Sequence, residues 1–201
     1  CCHAFGAKWG NKLVGSYGDV AVYAFNISKM ITSVFGGMLT FNDKDLALKV
    51  KTWRDQNFKK PSITKSLKRR IYLISVYFAF NEIIYGFIYF LKQNTNLLKS
   101  LTDSYHLDDK IHFPPDYLDN MIDFEAAVGI EQLDKYDEII MHRKQKAVWY
   151  NNNLKKVNGW KFPKVFDEHT FSHYVVLVPN RKEVLDEYKN KGIELGELIQ
   201  Y

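Results

Sequence analysis

An α/β fold is predicted by three stretches of the sequence. "VAVYAFN" (20–26) is a nearly continuous run of small, β-branched and aromatic side chains, the composition of a buried, parallel strand. "GGMLTFND" (36–43) has the pattern of a second, shorter strand that ends in a turn. "DKDLALKVKTWRDQN" (43–57) then reads as a helix, with Asp43 placed to accept hydrogen bonds from the free amides of its first turn. Strand, loop, strand and helix in this order form an α/β signature.

The later elements are less uniform. Residues 59–70, "KKPSITKSLKRR", carry six basic side chains and no acid. Directly after them, "IYLISVYFAFNEIIYGFIYFL" (71–91) has Glu82 as its only charge and eight aromatic residues. As a helix its 21 residues span about 31 Å, close to the hydrocarbon thickness of a bilayer. A span would put the two halves of the chain on opposite sides of a membrane. Ser75, Glu82, Gly86 and Gln93 also form a narrow polar stripe. The preferred reading is therefore a helix buried against protein or a partner subunit. A helix lying in the membrane interface, with the basic run on anionic lipid, is the alternative.

"DFEAAVGIEQLDKYDEIIMHRKQKAVWYNNNL" (123–154) reads as one long helix, with Ala126, Ile130, Leu133 and Ile140 at helical spacing. "SHYVVLVPN" (172–180) reads as a strand and "RKEVLDEYKNKG" (181–192) as a helix closed by a glycine. "IELGELIQY" (193–201) starts another strand. Internal repeats and low-complexity tracts are absent.

The bulk numbers narrow the function classes. A chain of 201 residues with 46% apolar and 15% aromatic residues is globular, with a sizeable core. The net charge of +5 is mild, and no basic face with regularly interleaved aromatics recurs, so a nucleic-acid partner is not expected. Cys1 and Cys2 are adjacent and cannot staple a fold, which suits a reducing compartment and a cytoplasmic location. The opening "CCHAFGA" has neither an initiator methionine nor a signal-peptide pattern, and the expectation is the C-terminal part of a longer protein. A metal is not expected.

Lys29 is the candidate for chemistry. It lies in the loop between "VAVYAFN" and the pair Gly36–Gly37, which lets backbone come close to a ligand. An ε-amine becomes nucleophilic only when its pKa falls from about 10.4, through burial or neighbouring charge. Spacing alone fits a Schiff-base lysine and fits a solvated lysine at a strand end as well.

The stretch "CCHAFGAKWGNKLVGSYGDVAVYAFNISKMITSVFGGMLTFND" resembles the core of the DegT/DnrJ/EryC1/StrS family, the pyridoxal-phosphate-dependent sugar aminotransferases. That family's pattern runs from an acidic residue through a small pair, Gln or His, and Ala-x-Gly-Ala. A Gly-x-x-Gly-Asp strand follows, then the Schiff-base lysine and a Gly-Gly strand with an Asn-Asp turn. The helix at 123–154 is similar to the family's Ala-Ala-x-Gly-x-x-Gln-Leu helix, and "SHYVVLV" and "KGIELG" to its C-terminal domain. The resemblance covers about 1–58 and 114–201, whereas 59–113 matches nothing general in the family.

The resemblance implies a fold-type I, aspartate-aminotransferase-like α/β architecture. Residues 1–58 would be the remainder of the large cofactor domain and 59–113 a helical apolar, aromatic insertion. Residues 114–201 would be the connecting helix and small C-terminal domain. It implies pyridoxal 5'-phosphate as cofactor, with Lys29 as the catalytic lysine that bonds to it and shuttles the reaction's proton. It places His3 near the cofactor ring, where a satisfied core histidine is the blander reading. Ser28 could donate to the phosphate, though nothing fixes its direction. Asn120 corresponds to a position that in some members reaches the neighbouring subunit's phosphate, implying a homodimer; a polar residue at a helix start is the alternative. The implied reaction moves an amino group from an amino acid, with glutamate as the expected donor, to a keto-sugar nucleotide in polysaccharide or amino-sugar biosynthesis. Lys29 argues against the family's dehydratases, where a histidine takes its place.

Three departures favour a second reading, a catalytically impaired cofactor-binding, regulatory or membrane-docking relative. Ala24 stands where the family usually has a phosphate-binding serine, and Phe35 replaces the acid before the glycine pair. The acid that pairs with the pyridine nitrogen would precede Cys1.

Overall fold

The computed structural model describes residues 1–79, 81, 84–86, 113, 116–154 and 157–196. β1 (Lys8–Trp9) and β2 (Lys12–Leu13) form a minimal antiparallel ladder around Gly10. β3 (Val20–Ala24) pairs with β4 (Gly37–Phe41) from Val20 opposite Phe41 to Ala24 opposite Gly37. The pairing is antiparallel, against the parallel strand read from composition. The loop between them, residues 25–36, contains no helix, so no helical crossover carries the chain back for parallel pairing. Burial is one-sided too: Ala21 is buried, while Val20, Val22 and Leu39 are exposed.

α1 (Lys44–Asn57) begins as the sequence predicts. The Asp43 carboxylate accepts from the amides of Asp45 and Leu46 at 2.7 and 3.0 Å. α2 (Ile63–Ala79) starts inside the basic run and continues into the apolar stretch as far as Ala79. Glu82 and Gln93, from the anticipated polar stripe, lie outside the described residues. Among the described residues no helix is long and apolar enough to cross a membrane.

The single long helix expected at 123–154 is two helices. α3 (Asp123–Asp134) and α4 (Tyr136–Asn153) meet at Lys135, whose backbone leaves helical geometry at φ −91°, ψ 5°. Past the break, the Tyr136 hydroxyl occupies the space that a Cβ on Gly6 would need, and the ring packs edge-on against Phe5. The inward face also differs from the predicted stripe. Ile130 is exposed, whereas Glu125 and Gly129 are buried. Gly129 brings α3 against Ser33, whose Cβ lies 3.4 Å from where a Cβ on that glycine would stand.

Residues 172–180 do not form a strand. Their ladder contact is one antiparallel bridge, Lys161 with Leu177, closed by hydrogen bonds of 2.9 and 3.0 Å. Side chains of α4 hold the preceding backbone instead, since Arg143 donates to the carbonyls of Phe171 and Ser172 at 3.2 Å each. α5 (Arg181–Asn190) ends just before Gly192 at φ +76°, the left-handed conformation its glycine was expected to supply. Residues 193–196 have no regular structure. The core gathers Phe25, Met30, Ile31 and Val34 from the β3–β4 loop with Ile122, Ile140, Ala147 and Phe171.

Candidate active site

The β3–β4 loop is anchored by its own backbone. Phe25 N–H donates to the Gly36 carbonyl and Ser33 N–H to the Phe25 carbonyl, both at 2.9 Å. The Thr32 hydroxyl donates to the Phe25 carbonyl at 3.1 Å and accepts from Val34 N–H at 2.9 Å. The Ser33 hydroxyl, fully buried, donates to the Phe35 carbonyl. Val34 is held at φ +70°, a region that β-branched residues avoid. Strain of this kind costs on the order of 1–3 kcal/mol and persists only where the surroundings over-determine it. Gly36 follows at φ +97°, with the Met121 methyl 2.3 Å from the position a Cβ would take.

Lys29 stands on this frame. Its N–H closes a turn onto the Asn26 carbonyl at 2.9 Å, and buried Met30 and Ile31 fix the chain directly after it. The half-buried side chain extends to His3, with Nζ 2.7 Å from the imidazole Nε2. Phe5 sets the approach of His3. Its ring packs edge-on against Tyr23 and Tyr136 at 5.1 and 5.6 Å, pinning the N-terminal segment between β3 and α4.

A third group completes the cluster, and the sequence reading did not single it out. His173 lies against His3 with ring centroids 5.4 Å apart. Its position follows from the Arg143 grip on the two preceding carbonyls. "SHYVVLV" stood out as a strand pattern, which hid its histidine; only the fold brings 173 to 3.

The electrostatics of the cluster follow from its composition. Partial desolvation lowers the His3 pKa from its ordinary 6.5, and the charges of Lys29 and His173 push it the same way. His3 is therefore neutral at pH 7, and its Nε2 accepts the hydrogen bond that the Lys29 ammonium donates. Ser28 beside Lys29 is exposed, and its hydroxyl makes only a long 3.5 Å contact to Asn26 Oδ1. Asn120 is elsewhere: its N–H bonds to the Lys59 carbonyl at 2.8 Å, and among the described residues no hydrogen bond joins it to Lys29, His3 or Ser28. Ala24, opposite Gly37, offers no side-chain donor.

Phe35 turns away from the lysine toward α2. The Arg69 guanidinium lies over its ring at 4.7 Å, and Tyr72 packs at 5.4 Å. Arg69 also bonds both oxygens of the fully buried Glu125 at 2.8 and 3.1 Å. Glu125 Oε2 accepts in addition from Ile122 N–H at 3.1 Å. Lys65 adds contacts to Asp116 and Asp119 at 2.5 and 2.6 Å, and its hydrogen bond holds the Asp116 pKa below the ordinary value.

The donor set at Lys29 fits a phosphorylated aldehyde cofactor such as pyridoxal phosphate. Lys29 would bond the carbonyl carbon through Nζ, the loosely engaged Ser28 hydroxyl would reach phosphate, and an imidazole lies beside the lysine. No carboxylate among the described residues contacts the cluster.

Comparison with known proteins gives the family. Residues 1–198 match the DegT/DnrJ/EryC1/StrS aminotransferase family. GDP-perosamine synthase of Caulobacter vibrioides is 28% identical over 199 residues, covering 95% of this chain and 41% of that protein. The UDP-4-amino-4,6-dideoxy-N-acetyl-beta-L-altrosamine transaminase of Campylobacter jejuni is 24% identical over 206 residues, covering 99% and 43%. In structure, AtS13 from Actinomadura melliaura superposes with a TM-score of 0.61 at 20% identity, covering 100% of this chain and 43% of that one. The chain spans less than half the length of these relatives, and it shares the fold-type I architecture of solved sugar aminotransferases. Over nearly its whole length, the chain belongs to the DegT/DnrJ/EryC1/StrS aminotransferase family.

Proposed function

We propose that the protein containing this chain is a pyridoxal-phosphate-dependent aminotransferase that moves an amino group from an amino acid, glutamate being the expected donor, to a keto-sugar nucleotide. One observation carries the reading: Lys29 Nζ, on a strained and buried loop, lies 2.7 Å from a neutral imidazole. When bound, the cofactor supplies an aldehyde that exchanges amines and a ring that withdraws electrons from the carbon losing its proton.

Lys29 holds the cofactor at Nζ and, once released, carries the proton at that atom to and from the substrate carbon. His3, with its basicity depressed, accepts a hydrogen bond without taking the proton, so it orients the amine. Ser28 Oγ donates to the phosphate. His173 walls the cluster on the C-terminal side. Asn120 serves the phosphate of a second subunit in a homodimer. The division into 1–58, 59–113 and 114–201 belongs to the same reading. Phe35, which stands where the family usually has an acid, packs under Arg69 and so has a structural use of its own.

Borohydride reduction of the full-length protein with pyridoxal phosphate, followed by peptide mapping, tests the assignment. The label is expected on Lys29; a label on another lysine overturns it. Mixed Lys29→Ala and Asn120→Ala subunits are expected to regain activity together. Failure despite verified subunit exchange leaves Asn120 as a helix-start residue.

A further inference from the structure

α2 has two unlike faces. Lys65, Arg69, Tyr72 and Leu73 face the protein through the ion pairs, the stacked rings and burial already described. Opposite them, Ile63, Leu67, Ile71, Ile74 and Phe78 recur at three- and four-residue steps and form one apolar stripe. These five side chains are 53–89% exposed. Surface leucines or isoleucines scattered singly mean nothing, but five aligned along four helical turns are a docking surface.

Charge decides the occupant. Lys68 and Arg70 are exposed on the two flanks of the stripe, Lys59 and Lys60 are exposed just before the helix, and residues 59–79 contain no acid. The acids that answer this segment's charge, Asp116, Asp119 and Glu125, are all engaged with Lys65 and Arg69 on the protein-facing side. A second copy docked about a twofold axis near Ile71 would bring Arg70 and Lys68 of both copies together with no acid from the helix between them. An anionic lipid surface answers both features, because the stripe enters the headgroup boundary while the flanking cations meet lipid phosphates.

We propose that the Ile63–Phe78 face of α2 docks the protein peripherally on an anionic bilayer. The inference is independent of the aminotransferase reading, since flotation needs neither cofactor nor turnover.

Flotation of the full-length protein with phosphatidylcholine vesicles, with and without phosphatidylglycerol, tests it. Binding is expected on the anionic vesicles at low salt and is expected to fade as salt rises. Lys68→Gln and Arg70→Gln are each expected to weaken partition about fivefold. Leu67→Gln with Ile74→Gln should abolish it, with unchanged circular dichroism because both side chains are exposed. No flotation at low salt overturns the proposal, and so does flotation indifferent to these variants. A fall in oligomer mass from Leu67→Gln with Ile74→Gln, without vesicle binding by the parent protein, also overturns it and assigns the stripe to a second copy.

Discussion

The Lys29 loop and the Arg69–Glu125 clamp both hold a cation in place, by opposite means. Around Lys29 the backbone is buried and hydrogen-bonded, while among the described residues Nζ bonds to a neutral imidazole. Around Arg69 the charged group itself is satisfied, with Nη1 donating to both oxygens of a buried carboxylate on one side and an aromatic face on the other. The first arrangement leaves the side-chain nitrogen without an acidic partner among the described residues and places the strain in the backbone, as at Val34. The second spends the charge on fixing α2 to α3. Rigidity in the backbone and availability in the side chain make a site, whereas the reverse makes a joint.

Substitutions can separate the two. Lys29→Ala is expected to lower turnover of the full-length protein by about 10³-fold or more, with an unchanged urea unfolding midpoint. A matching loss of stability would mean that Lys29 is a joint as well. Arg69→Ala is expected to do the opposite, costing about 3 kcal/mol of stability because Glu125 is left buried and unpaired. Urea unfolding reads this, and an unchanged midpoint would show the clamp to be dispensable.

Between these extremes, Gly36→Ala tests the strain under the loop. The left-handed backbone and the Met121 methyl together predict a loss of about 2 kcal/mol, with weakened cofactor uptake. Asp43→Ala, remote from both regions, removes only a helix cap and should cost about 1 kcal/mol.

The smallest effect concerns His3. Its pKa is lower folded than unfolded, so the unfolded chain gains the proton first as pH falls below 6.5. The stability associated with the neutral imidazole is present above that value and declines below it. Unfolding midpoints between pH 7.5 and pH 5.5 should show this slope in the parent protein and a shallower one in His3→Gln.

What the sequence disclosed depended on how local the physics was. Asp43 and Gly192 act within one helical turn, and both ends were legible from neighbouring residues. The short return between β3 and β4 was also local, yet the apolar composition of "VAVYAFN" concealed its antiparallel pairing. The long helix breaks at Lys135, beside Tyr136, which packs on Gly6, a partner 130 residues away that no periodicity encodes. Glu125 gave no sign of burial, since its reason is Arg69 on another helix. In the site, Lys29 and His3 were marked by the family resemblance, but His173 becomes a neighbour of His3 only in the fold, where Arg143 holds the chain before it.

The clamp also bears on how this protein's relatives vary. A guanidinium lodged between the Phe35 ring and the Glu125 carboxylate makes positions 35, 69 and 125 a unit of inheritance. Replacing Phe35 by an acid would offer Arg69 a further carboxylate, beside Glu125 and Asp116, and losing Arg69 would strand Glu125. Lineages that carry Glu125 should therefore carry Arg69 as well.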